Sequence, residues 1–200
     1  MTETPRRAPA GPRRRLSKQD RRAQLLAAAR DLIRDEGTDA LTLGRLAERA
    51  GVAKPLVYDH FGTRAGVLEG LYRELDARQH HALDAALDGA ADELDAVADV
   101  VAAAYLDCAL AEGRELADVV AALAGSPTLE RLRREAEDAY LTRCSEALAP
   151  FATGGPVGTA QLRALVGAAD ALARSALTGR VDPDEARRTL ARVITALVPR

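Results

Sequence analysis

Apolar residues recur at helical spacing along nearly the whole chain. Leu25, Leu26, Ala29, Leu32 and Ile33 fall on one face of an amphipathic helix that begins near Ser17 and stops at Gly37. Two short segments follow, Leu43–Ala50 and Lys54–His60, separated by Gly51. Gly62 then breaks the chain and Thr63 caps a new helix. Val67, Leu68, Leu71, Tyr72 and Leu75 mark the buried face of that helix, which meets no strong breaker before Asp88 and is about 36 Å long. Further helices are predicted over Asp92–Glu112, Arg114–Ala124 and from Ser126-Pro127 to about Ala149. The last two are Thr159–Thr178 and a helix entered through Asp182-Pro183-Asp184-Glu185, an N-cap, an early proline and an acid close to a capping box. No strand alternation and no internal repeat is present, so the fold class is all-α.

Composition agrees with the pattern. Apolar residues make up 48% of the chain, enough for a sizeable core, and they are mostly Ala, Leu and Val, which favour helices. Cys108 and Cys144 are too few for a disulfide framework and lack metal-ligand spacing; no metal and no cofactor is expected. They fit a reducing cytoplasm. No apolar run is long enough to span a bilayer, and Met1–Arg15 lacks the apolar stretch of a signal peptide. No nucleophile elbow, P-loop or dinucleotide signature is present, so no catalytic residue is assigned and the chain is not read as an enzyme.

Charge divides the chain. Residues 1–64 hold fourteen Lys/Arg against eight Asp/Glu, and residues 65–200 fourteen against twenty-two. One end is therefore suited to a polyanion. Residues 1–16, rich in Pro and Arg, are expected to be disordered. Their Arg6, Arg7, Arg13, Arg14 and Arg15, with Lys18, form a basic arm able to reach the minor groove or neighbouring phosphates.

The two short helices carry the sharpest signal. A helix-turn-helix needs a small residue where the helices cross, and Ala47 is in place. Four residues on, the turn needs a residue that tolerates positive φ, and Gly51 is there. Leu46, Val52 and Val57 supply the apolar lock, Thr42 caps the first helix and Pro55 sits in the first turn of the second. Lys54, Tyr58 and His60 lie on or near the outer face of the second helix, and Arg64 opens the next.

The stretch from Leu41 to Val52, followed by Val57-Tyr58-Asp59-His60-Phe61-Gly62-Thr63-Arg64, resembles the tetracycline-repressor (TetR) family. The resemblance implies a helix-turn-helix DNA-binding domain over 17–64, with the motif at about 42–61. A long connecting helix would join it to a helical ligand-binding and dimerisation domain over 65–200. By resemblance, Thr42 bonds a phosphate, Lys54, Pro55 and Leu56 reach base edges, and Tyr58, His60 and Arg64 hold the DNA backbone, with Arg45 a further contact. Phe61 packs the unit against the connecting helix. The sequence departs from many relatives at Ala53, where a capping Ser is common, and at Pro55, Leu56 and Asp59.

The implied function is a ligand-responsive transcriptional regulator, a repressor, which binds a near-palindromic duplex operator as a homodimer and is released by a small-molecule inducer. The last two long helices are the expected dimer interface. Polar candidates for the inducer pocket are Tyr72, Tyr105, Cys108, Tyr140, Asp170 and Arg174, with His80, His81 and Cys144 also considered. Each has a core-packing reading beside the functional one. The Ala/Leu/Val lining suits an aliphatic or acyl ligand. The competing readings are a non-specific architectural DNA binder and a helical interaction module whose hairpin only looks like a DNA reader.

Overall fold

The computed structural model describes residues 16–123 and 126–200. Arg6, Arg7, Arg13, Arg14 and Arg15 of the basic arm lie outside the described residues, as do Ala124 and Gly125 at the expected end of the sixth helix. Among the described residues there is no strand. The helices run α1 Lys18–Glu36, α2 Leu43–Ala50, α3 Lys54–Phe61, α4 Arg64–Asp88, α5 Leu94–Glu112, α6 Arg114–Leu123, α7 Pro127–Leu148, α8 Thr159–Leu177 and α9 Pro183–Leu197.

Local chemistry sets most of these boundaries. Side-chain oxygens of Ser17, Thr42 and Thr63 accept from the backbone N–H three residues on, at Asp20, Arg45 and Gly66. Asp182 accepts from both Asp184 and Glu185. Ser126, the expected cap of α7, makes no capping bond through its hydroxyl; the proline at the first helical position, which has no N–H to satisfy, opens that helix instead.

Two apolar cores result. One joins α1, α2 and α3 to the first half of α4, and it also takes Val119 and Leu123 of α6 and Leu129 and Ala136 of α7. The other packs α5, α8, α9 and the second half of α7 around Leu83 near the end of α4. Helix α4, about 37 Å long by its 25 residues, is the element common to both.

The junction of α3 and α4 is unusually tight. Gly62 has φ 67° and ψ −51°, and the Thr63 N–H donates to the Phe61 carbonyl at 2.7 Å. This is a γ-turn of the rare hand, accessible to glycine at little cost. It swings the Phe61 carbonyl to within 2.1 Å of where a Cβ on Gly66 would stand. A Gly66→Ala protein is therefore expected to lose about 2 kcal/mol or more of stability, because backbone must move to admit the methyl group. Urea unfolding monitored by circular dichroism checks this, and an unchanged midpoint would refute the close approach.

Candidate functional site

Helices α2 and α3 are locked together from beneath. Leu46, Ala47 and Val57 are buried between them. Gly51 ends α2 in the left-handed conformation, φ 65° and ψ 37°. The Val52 N–H donates to Ala47 O at 3.0 Å and the Gly51 N–H to Glu48 O at 3.2 Å, the paired bonds of a Schellman turn. The sequence therefore fixes the angle at which α3 leaves α2 through backbone bonds and one glycine.

The far end of α3 is clamped by α1 and α4. Phe61 is buried, and the Arg22 guanidinium lies 4.6 Å over its ring. Arg22 also donates to the His60 carbonyl at 3.0 Å, placing a cation at the negative end of the α3 dipole. Gly70 of α4 comes so close that an added Cβ would meet Arg22 Nη2 and Leu26 Cδ2 at 3.0 Å. Gly66 and Gly70 carry this packing and are not singled out by the sequence, because close approach between elements leaves no signal in local spacing.

With its buried side held, α3 turns the rest outward. Lys54, Pro55 and Tyr58 are exposed, Tyr58 by 54%, which marks it as one of the few large side chains left without packing. Lys54 stands 3.8 Å from Glu48, a loose pair between exposed side chains that leaves the ammonium available. Leu56 and His60 are half-buried. Burial, with Lys18 and Arg22 nearby, holds the His60 imidazole below its usual value, so it is neutral at neutral pH. Lys18, Gln19, Arg22, Asp59 and His60 together border an open groove, which brings the described end of the basic arm beside α3. Thr42 is exposed and spends one lone pair on its cap, which leaves its hydroxyl proton free to donate outward.

Two of the expected contact residues are engaged within the chain. Arg45 is paired with Glu36. Arg64 is half-buried and donates to Leu41 O at 3.1 Å and Thr38 O at 2.9 Å. It ties the start of α4 to the turn that precedes α2.

A second site lies deeper. Tyr72, Tyr105, Cys108, Tyr140, Asp170 and Arg174, contributed by α4, α5, α7 and α8, all border one cavity of about 350 Å³. The Tyr105 hydroxyl donates to Asp170 at 2.6 Å. Burial first, and Asp170 second, push the Tyr105 hydroxyl well above its ordinary range. Burial likewise raises both thiols, Cys144 to about 12, so neither is a ready nucleophile. Cys108 and Cys144 are unbridged, and Cys144 belongs to the core rather than the cavity wall. His81 is exposed, while His80 packs its ring on Tyr140. Among the described residues no cluster suited to a metal ion occurs, and no helix is long and apolar enough to cross a membrane.

A family profile described as bacterial regulatory proteins, tetR family, matches residues 25–71, the segment that holds α2, α3 and their packing partners. Residues 25–71 are thus similar to the N-terminal unit of the TetR family. The HTH-type transcriptional activator FasR of Mycolicibacterium smegmatis is 42% identical over 72 residues, covering 34% of this chain and 33% of that protein. Tetracycline repressor protein class A from transposon 1721 of Escherichia coli is 38% identical over 65 residues, 32% of this chain and 30% of its own. The chain thus aligns with about a third of the length of these relatives. A solved TetR-family transcriptional regulator from Streptomyces coelicolor superposes with a TM-score of 0.69 over 90% of this chain and 95% of that one, at 21% identity, which shows the shared fold.

Within that TetR-family unit the role of Arg64 is separable from any ligand. Two charge-assisted bonds to carbonyls imply that Arg64→Ala costs about 1–3 kcal/mol with no nucleic acid present. Urea melts of the free protein decide it: an unaltered midpoint would mean the arginine serves only an external partner.

Proposed function

We propose that the chain is a DNA-binding transcriptional regulator whose unit over 17–64 reads a near-palindromic operator and whose body over 65–200 dimerises and holds a small-molecule effector. The observation that carries this reading is the exposure of Lys54, Pro55 and Tyr58 on a helix whose other side is locked by Gly51, Val57 and Arg22. A rigid helix that presents its first turn outward suits the major groove, where base edges carry a readable donor and acceptor pattern. Lys54 to Leu56 take the base edges in this reading. Thr42, Tyr58 and the neutral His60 bond phosphate oxygens, with Lys18 and Arg22 adding charge along the groove. Arg64 acts by positioning, and Arg45 becomes a contact only by leaving Glu36.

The 350 Å³ cavity falls within the range of small-molecule sites. It touches α4 directly through Tyr72, Leu75, Asp76 and Gln79. A ligand that fits one tilt of α4 better than another would shift the distance between two recognition helices in a dimer. Repression is the proposed sign, as named for the tetracycline repressor, whereas FasR is named an activator.

The dimer surface proposed is the outer face of α8. Ala160, Ala164, Gly167 and Ala171 are exposed there at helical spacing, and nothing lies within 4 Å of a Cβ placed on Gly167. Small side chains allow a second copy of α8 to approach closely. Gly167→Arg should leave the fold intact and reduce the mass in light scattering from twice 21.2 kDa to 21.2 kDa. Retention of the dimer would move the interface elsewhere.

DNA recognition is tested by fluorescence anisotropy at fixed salt on duplex from immediately upstream of the coding region. Combined Lys54→Ala and Tyr58→Ala should weaken operator binding by roughly 100-fold and relax its preference over random duplex. Both side chains are exposed, so the urea midpoint should hold. Equal affinity of the unaltered protein for random and operator duplex would instead indicate an architectural binder.

A further inference from the structure

The cavity beside α4 gathers three of the four tyrosines in the chain. Tyr105 and Tyr140 meet edge to face, with centroids 5.7 Å apart and rings inclined by 72°. Tyr72 borders the same space. Tyr140 is 4% exposed, and its hydroxyl has no oxygen or nitrogen partner among the described residues. Its polar neighbour is the Cys144 thiol, a weak partner at best. A buried hydroxyl left in that state is costly, and a polar group on a bound molecule would relieve it.

The charge around this space is negative. Asp76, Glu137 and Asp170 border it, against Arg133 and Arg174. Arg133 is already held by Glu130 at 2.9 Å and Glu137 at 2.8 Å, and Glu137 also takes Arg163. Asp76 faces His80 at 3.1 Å, and Asp170 accepts from Tyr105; neither has a Lys or Arg partner among the described residues. Burial first, then Asp76, with Glu137 and Asp170 adding to it, pushes the Tyr72 hydroxyl up to about 12 despite Arg133. Carboxylates and the electron-rich faces of tyrosine rings attract the same kind of guest, a cation with apolar substituents. An anion would meet repulsion from both, with Arg174 the one bordering cation not held by a carboxylate among the described residues.

We propose that this cavity selects a lipophilic organic cation, its charged nitrogen drawn by Asp76 and Asp170, caged by Tyr72, Tyr105 and Tyr140, and its apolar part lying on Leu75, Val120, Val166 and Leu177. Of the aliphatic or acyl ligand expected from composition, the aliphatic character is retained, and a cationic head is added to it. The inference rests on the reading of this cavity as the effector site. In that role Tyr140 Oη accepts from an ammonium N–H, which removes the orphan.

Isothermal titration of the full chain at pH 7 with octylammonium, octanoate and 1-octanol, equal in chain length and different in charge, tests the class. Octylammonium is expected to bind about tenfold tighter than either of the others. Asp76→Asn combined with Asp170→Asn should bring octylammonium down to the level of octanol. The new amide oxygen at position 170 still accepts from Tyr105, so the urea midpoint should not change. Tyr140→Phe should weaken octylammonium by a larger factor than octanol, whose hydroxyl is not drawn to that place by the carboxylates. Octanoate or octanol binding as tightly as octylammonium, or a double variant that keeps the preference, overturns the proposal. Binding of none of the three overturns both it and the effector-site reading. Octylammonium that binds yet leaves operator affinity intact supports the ligand class and removes only the effector role.

Discussion

Every part of this molecule is referred to the single uninterrupted helix α4. Its first half buries Val67, Leu68, Leu71 and Leu75 with α1, α2 and α3, and its end buries Leu83 with α5, α7 and α9. A helix of 25 residues held by its own hydrogen bonds bends little without a proline or a break, and α4 has neither. The two cores therefore cannot shift independently: what moves α4 in one is felt in the other. The N-terminal attachment is stiff for identifiable reasons. The γ-turn at Gly62 and the Phe61–Arg22 stack against Gly70 hold α3 to α4, and the 2.5 Å pair between Arg30 and Glu74 ties α1 to the same helix.

Helix α6 supplies a second connection between cavity and reading unit. Val119 and Leu123 are buried in the same core as α1, whereas Val120 and Ala121 border the cavity. Neighbouring residues of one short helix thus reach both regions, and Val120 touches the two at once. A guest that presses on Val120 acts on the packing of Val119 without an intermediate chain of contacts. Such a linkage has force only to the extent that the guest binds one arrangement better than the other. The unsatisfied Tyr140 hydroxyl is one place where that difference can arise, because a guest that satisfies it changes the balance of the whole wall.

Most of the elements are legible in the sequence because they rest on local rules. Ser17, Thr42, Thr63 and Asp182 cap helices in the manner their residue types and positions imply, and Gly51 adopts the positive φ that the motif demands. Ser126 shows the limit of that reasoning, since a favourable residue at the right position can still point its hydroxyl elsewhere. The roles of Gly66 and Gly70 are invisible there because they depend on Phe61 and Arg22 arriving from other helices. The cavity is half legible. Polar residues breaking otherwise apolar helical faces pick out Tyr72, Tyr105, Cys108, Tyr140, Asp170 and Arg174, which the fold brings together. The carboxylate excess is not, since Asp76 and Glu137 look like ordinary surface residues until α4 and α7 are placed.

The excess of basic residues in the first 64 positions also changes meaning once partners are known. Arg30, Arg45 and Arg49 are each neutralised by carboxylates of α1 or α4, so they add little to the field outside. Lys18, Arg21 and Arg22 have no carboxylate partner among the described residues, and all three lie in the first turns of α1. Among the described residues of this segment, the positive charge left without a close carboxylate lies in one strip beside the end of α3, with Lys54 at its other end and Arg64 at the start of α4. His60 sits in that strip, and burial, aided by the cations around it, holds its imidazole below its usual value. A neutral imidazole offers one donor and one acceptor, which makes it a geometric contact rather than another source of charge. In the proposed DNA-binding reading, affinity and orientation fall to different side chains: the arginine and lysine strip would attract a polyanion from a distance, and Thr42, Tyr58 and His60 would hold it in register.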